Sequence, residues 1–124
     1  KIVMKLKQKN IRVSLFIEPK ISNIQIAKKL NVCAIELHTG KYCNLFKRNK
    51  NVKSEFHRIF RSALYAKKIG LDVHVGHGLT YKTASKISKI KFITEFNIGH
   101  FIVSESIFFG LRKIILKFKK IINK

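Results

Sequence analysis

The chain has 124 residues with 46% hydrophobic content, enough for one domain with a modest core and too apolar for a disordered segment. Its formal net charge is +21, from 27 basic and 6 acidic residues. No apolar run approaches the roughly 18 residues that span a bilayer, and Lys1 to Asn10 lacks a small-residue cleavage site, so neither a membrane span nor a secretory signal is expected.

The charge invites a nucleic-acid reading, which we set aside. The arginines, which carry most base and phosphate recognition, are only Arg12, Arg48, Arg58, Arg61 and Arg112. The lysines are spread along the whole chain, and Ile, Phe and Asn are abundant alongside them, as a codon-biased genome would produce. Neither Cys33 nor Cys43 has metal-ligand spacing. Cys33 is expected as a small core residue of an apolar strand in a reduced, cytoplasmic setting.

Lys1 to Asn10 reads as the end of a helix, and a start at Lys rather than Met implies more chain upstream. Ile11 to Ile17 alternates like a strand and is closed by Glu18-Pro19. Ser22-Asn23 offers an N-cap for a helix over Ile24 to Leu30, with Asn31 at its end. Val32 to Leu37 is the second strand, leading into His38-Thr39-Gly40. Lys41 to Lys53 is poorly periodic and reads as loop or irregular helix. An amphipathic helix follows, carrying Phe56, Ile59, Phe60, Ala63, Leu64 and Ala66, and stops at Gly70. Leu71 to Val75 is the third strand, and its helix runs from Thr80 or Tyr81 to Ile90. Phe92 to Ile98 holds the fourth strand. A last helix is expected over Ser104 to Ile122, with Ile107, Leu111, Ile114, Ile115 and Phe118 as its apolar stripe.

Strands alternating with helices imply a parallel sheet. Parity along the strands places Val13, Leu15, Ile17, Ile35, Leu37, Val73, Val75, Phe96 and Ile98 on one face. The other face carries Glu36, His38, His74 and Asn97. A sheet covered on both sides would be apolar on both, so a polar inner face favours an α/β barrel over an open doubly wound sheet.

The chemistry concentrates at Gly76-His77-Gly78 and Gly99-His100, each between a strand and a helix. Glycines there let backbone N–H groups approach an anion, and a helix N-terminus adds positive potential. His77, at the turn, suits proton transfer. Glu36 is a carboxylate inside an apolar strand, a costly placement unless it is paired or functional. His38 reads as a supporting partner and His57 as a helix-surface residue.

The strings VSLFIE (13–18), IELHTGKY (35–42), VGHGLTY (75–81) and NIGHFIV (97–103) resemble the pyridoxine 5′-phosphate synthase family of vitamin B6 biosynthesis. That resemblance implies a TIM-type (β/α)8 barrel, of which residues 1–124 would be the C-terminal half, four βα units of a single domain, with the N-terminal half absent from this sequence. It implies an enzyme that condenses 3-amino-2-oxopropyl phosphate with 1-deoxy-D-xylulose 5-phosphate, giving pyridoxine 5′-phosphate, phosphate and water, without metal or organic cofactor. It implies His77 as proton donor, Glu36 as stabiliser of charge in the transition states, and Gly78, Gly99 and His100 as phosphate ligands. Partners would be phosphorylated small molecules and further copies of the chain (octamers in the family), with no specific nucleic acid and no membrane. The sequence departs from the family's pattern at His74, usually Asn, and at Ser104-Glu105, where an arginine is usual. Two competing readings are an inactive half-barrel relic, or a basic RNA-associating or scaffold protein. A membrane-surface role for Ser104 to Lys124 is a weaker third.

Overall fold

Four short strands form one parallel sheet in the order β1-β2-β3-β4 in a computed structural model that describes residues 2–123. The strands are β1 (Ser14–Ile17), β2 (Ala34–His38), β3 (Asp72–Gly76) and β4 (Ile93–Asn97). The helices are α1 (Ile2–Gln8), α2 (Ile21–Lys29), α3 (Gly40–Lys47), α4 (Lys53–Lys68), α5 (Tyr81–Ile87), α6 (His100–Phe109) and α7 (Leu111–Ile122). Each new strand steps one place in the same direction. With right-handed crossovers, that stepping sends every connecting helix to the same face of the sheet.

Burial follows the strand parity. Ile35, Leu37, Val73 and Val75 are fully buried and pack in one core with Ile24 and Ala27 of α2, Ile59, Ala63 and Ala66 of α4, and Ile87 of α5. On the opposite face, register aligns Phe16 with Glu36, Glu36 with His74, and His74 with Glu95. Phe16 on that face is 55% exposed, so no helix covers it there. The register shifts between Val73 and His74, which lets β4 advance one residue past β3. β1 and β4 each pair on one side only.

Several expectations need correction. The segment expected as loop or irregular helix contains a regular helix, α3, which begins at Gly40 and buries Tyr42 and Cys43. Helix α2 starts at Ile21 with Lys20 at its N-cap, so Ser22-Asn23 lies inside the first turn and caps nothing. Cys33 precedes β2 and is half-buried, while the core cysteine is Cys43. Leu64 sits at the edge of the α4 stripe and is 42% exposed. The single last helix is two: α6 starts four residues earlier than expected, at His100, and ends at Gly110, whose φ of +81° suits glycine and redirects the chain into α7. The expected stripe breaks there. Ile107 and Leu111 are exposed, while Ile114 and Phe118 are buried against Ala84 of α5 with Tyr81 and Phe101. The long apolar run Phe101 to Leu111 has no polar punctuation except Ser and Glu, so periodicity alone does not reveal the break.

Candidate functional site

The C-terminal ends of the four strands and the loops after them surround one cavity of about 830 Å³. Its lining includes Glu36, His77, Gly78, Asn97, Gly99 and His100. Every site residue expected from the sequence is therefore brought to one mouth, although they come from strand β2 and from two different strand-to-helix connections.

Glu36 leaves β2 on the open face and accepts a 2.6 Å hydrogen bond from Asn97 Nδ2 at the end of β4. Asn97 is thus the hydrogen-bond partner of this carboxylate. The same carboxylate explains Gly76. A Cβ at that position would collide with Glu36 Oε1, so the glycine makes room for a side chain of this protein and not for a ligand.

His77 has a φ of +75°, a left-handed conformation that costs a non-glycine residue on the order of 1 kcal/mol or more. Two interactions hold it. The Thr39 hydroxyl, fully buried, lies 2.7 Å from the Gly76 carbonyl and 2.8 Å from the His77 carbonyl and shares its single proton between them. The His77 ring packs beside His38, with centroids 4.7 Å apart, and more loosely against Phe16 at 6.4 Å. Gly40 is bare for the same reason as Gly76: an added Cβ would lie 2.8 Å from His77 Cδ2 and 2.9 Å from His38 Nε2. The strain at His77 turns its side chain out of the strand direction into solvent-accessible space, where a substrate can reach it.

Gly78 follows with φ +79°, over Cys43. Burial pushes the Cys43 thiol up from its ordinary value, against the opposing pull of hydrogen bonds with Thr83 and Thr39, so this cysteine stays protonated and is packing, not a nucleophile. Thr80 then caps α5, with Thr80 N–H donating to Thr83 Oγ1 at 2.8 Å and the Thr83 N–H returning to Thr80 Oγ1 at 3.4 Å. Gly99 is the N-cap of α6 and His100 its first residue, both exposed. A Cβ on Gly99 would meet nothing within 4 Å, so the space above this turn is open. The first-turn N–H groups of a helix have no intrahelical acceptor, and here they border the cavity. The site can therefore present an open helix N-terminus, a strained histidine and an anchored carboxylate to one ligand. That set suits a phosphate ester undergoing proton transfer.

Sequence reasoning missed what supports these groups. Glu18, at the end of β1, accepts from His38 Nδ1 at 2.8 Å and from Arg58 of α4 at 3.1 Å. Arg58 also donates through Nε to Glu55 at 2.9 Å, a carboxylate only 5% exposed that lies 3.5 Å from Lys41 Nζ. These contacts join positions up to 40 residues apart, and only the scarcity of acids in the sequence hinted that each one has a fixed partner. His74 pairs with Glu95 at 3.4 Å, further down the open face. His57 is exposed, with Nδ1 2.9 Å from the Lys53 carbonyl, as expected for a surface residue. No helix of the described residues is long and apolar enough to cross a membrane, and no cluster of three or more potential metal ligands occurs among them.

Comparison with known proteins agrees with the motif strings. The profile of the family described as "Pyridoxal phosphate biosynthesis protein PdxJ" matches residues 1–124. The chain is 54% identical over 123 residues to a pyridoxine 5′-phosphate synthase of Pelagibacter ubique (strain HTCC1062), covering 99% of this chain and 52% of that protein. It is 48% identical over 117 residues to the enzyme of the same name from Sulfurihydrogenibium sp. (strain YO3AOP1), covering 94% and 47%. With that from Zymomonas mobilis subsp. mobilis, identity is 45% over 122 residues, covering 98% and 47%. The chain thus spans about half the length of the curated relatives it matches.

Proposed function

The chain belongs to the PdxJ family of pyridoxal phosphate biosynthesis, and from that premise we propose that it carries part of the active site of a pyridoxine 5′-phosphate synthase. The reaction is the condensation of 3-amino-2-oxopropyl phosphate with 1-deoxy-D-xylulose 5-phosphate to pyridoxine 5′-phosphate, with release of phosphate and water. The convergence of Glu36, His77, Gly78, Gly99 and His100 on one cavity carries this reading.

Each group has a part. The backbone at Gly78 and Gly99, with His100, holds a phosphate ester at the α6 N-terminus, where the open turn leaves room for it. His77 delivers a proton to a departing or carbonyl oxygen from its exposed position at the mouth. Glu36, kept in place by Asn97, sets a fixed negative charge beside the reacting atoms and stabilises cationic character as it develops.

The fold we propose is one half of a (β/α)8 barrel, with residues 1–124 as its C-terminal four units. Unidirectional strand order, helices confined to one face, a polar opposite face and a free edge at each end of the sheet support it. The half length relative to the matched synthases is in keeping with this. The remaining units would close the sheet and supply the rest of the substrate contacts, and the assembly would be a homo-oligomer acting on phosphorylated small molecules.

The test is product formation from the two phosphorylated substrates by the full-length protein and its His77→Ala variant. General acid catalysis contributes about 10²- to 10⁴-fold, so the variant should lose at least that much turnover while keeping its circular-dichroism spectrum. Undiminished turnover would remove His77 from the mechanism.

A further inference from the structure

Among the described residues, a chain of contacts that the proposed reaction leaves unused runs from the buried Glu55 through Arg58 and Glu18 to His38, and ends against the His77 ring. We propose that Glu18 and His38 are positioning residues for His77: Glu18 fixes the tautomer of His38, and His38 fixes the orientation of the His77 ring. The proposal deepens the role given to His77 above and rests on that reading for its catalytic consequence only.

A carboxylate can only accept hydrogen bonds. Glu18 is held ionised, since the hydrogen bond from His38, and after it the Arg58 guanidinium, keep its carboxyl below the usual range against the opposing effect of burial. The 2.8 Å contact therefore requires the proton on His38 Nδ1. In the neutral ring, Nε2 is then the bare, accepting nitrogen. The Nε2–Cε1 edge of His38 lies over Gly40, where a Cβ would lie 2.9 Å from His38 Nε2 and 2.8 Å from His77 Cδ2, and the two ring centroids are 4.7 Å apart. Phe16 packs edge-on to His38 at 5.0 Å, with an interplanar angle of 87°, and limits its rotation from the other side. Glu18 cannot drift, because Arg58 grips it at 3.1 Å and is itself anchored on the buried Glu55. A rigid body of α4 is thus connected to the histidine at the mouth. The pair also makes sense of Gly40, a helix-initiating residue that must be bare for two imidazoles to meet over it.

The experiment is a long-range ¹H–¹⁵N spectrum of the histidine rings of the full-length protein, in a buffer alkaline enough for neutral imidazole, compared with Glu18→Ala and Arg58→Met. The wild type should show His38 with a protonated Nδ1 and a bare Nε2. Glu18→Ala should mix the His38 tautomers and shift the His77 ring signals, with Arg58→Met intermediate. In turnover, Glu18→Ala should lower kcat about 10- to 100-fold with little change in KM, as expected for misplacement of a reacting group, and Glu18→Asp should recover part of it. A wild-type His38 bearing its proton on Nε2 would overturn the proposal, and that spectrum needs no variant to fold. So would His77 signals or kcat indifferent to Glu18→Ala. If the wild type fails to turn over the two phosphates, the proposed reaction falls, while the ring spectra still decide whether Glu18 orders the two histidines.

Discussion

At the scale of single residues, the site is built by economy of space. Two glycines, Gly40 and Gly76, are bare because His38, His77 and Glu36 of the same chain crowd their Cβ positions, while Gly99 stands open to solvent. Thr39 links them, with one hydroxyl proton shared between two carbonyls of the strained turn. Replacing it by valine keeps the shape and removes the donor, leaving the His77 carbonyl without that partner. Thr39→Val should cost about 1 to 3 kcal/mol in denaturant unfolding and should relax the left-handed turn. A stability equal to wild type would show that the hydroxyl is dispensable. That Glu36, His77, Gly78, Gly99 and His100 lie near one another was legible in the sequence, because each sits in a short, distinctive string in or just after a strand. Thr39, Glu18 and Arg58 were not singled out, because their importance lies in contacts across 37 to 40 residues that no local pattern encodes.

At the scale of elements, parity was the most informative signal. The alternation in Ile35 to Leu37 and Val73 to Val75 separated the covered face from the open one, and burial follows it. Helix ends were harder to read. α2 forms without a side-chain cap, so Ser22-Asn23 was a false lead. The break at Gly110 was hidden within a run that is apolar all round. Its effect is to free α7 to lay Ile114 and Phe118 on α5, where Phe118 stacks with Tyr81 at 4.7 Å and approaches Phe101 at 6.0 Å. Phe118 therefore ties α5, α6 and α7 together. Phe118→Ala should destabilise the chain by about 3 to 5 kcal/mol, whereas Leu64→Ala, on the half-exposed rim of α4, should cost under about 1 kcal/mol. Equal losses in thermal or denaturant unfolding would contradict this division of the core.

At the scale of the whole molecule, a covered face and an open face define what the chain can do. The helices protect the apolar side, and the polar side carries carboxylates and histidines to one mouth. Most of the few acids are committed to specific partners: Glu18 and Glu55 to Arg58, Glu36 to Asn97, Asp72 to Arg12, and Glu95 to His74. The net charge of +21 thus leaves most basic side chains without an acidic partner, which favours anions over cations at this protein's surface and makes their association salt-sensitive. Family membership, the strand order and the cavity support the proposal that Gly78, Gly99 and His100 receive a phosphate ester beside His77 and Glu36. The most direct measurement is a titration of the full-length protein with pyridoxine 5′-phosphate, followed through its backbone amide signals. The account predicts saturable shifts centred on Gly78, Gly99 and His100, weakened by added inorganic phosphate. Shifts confined to other parts of the chain, with these three amides unmoved, would contradict it.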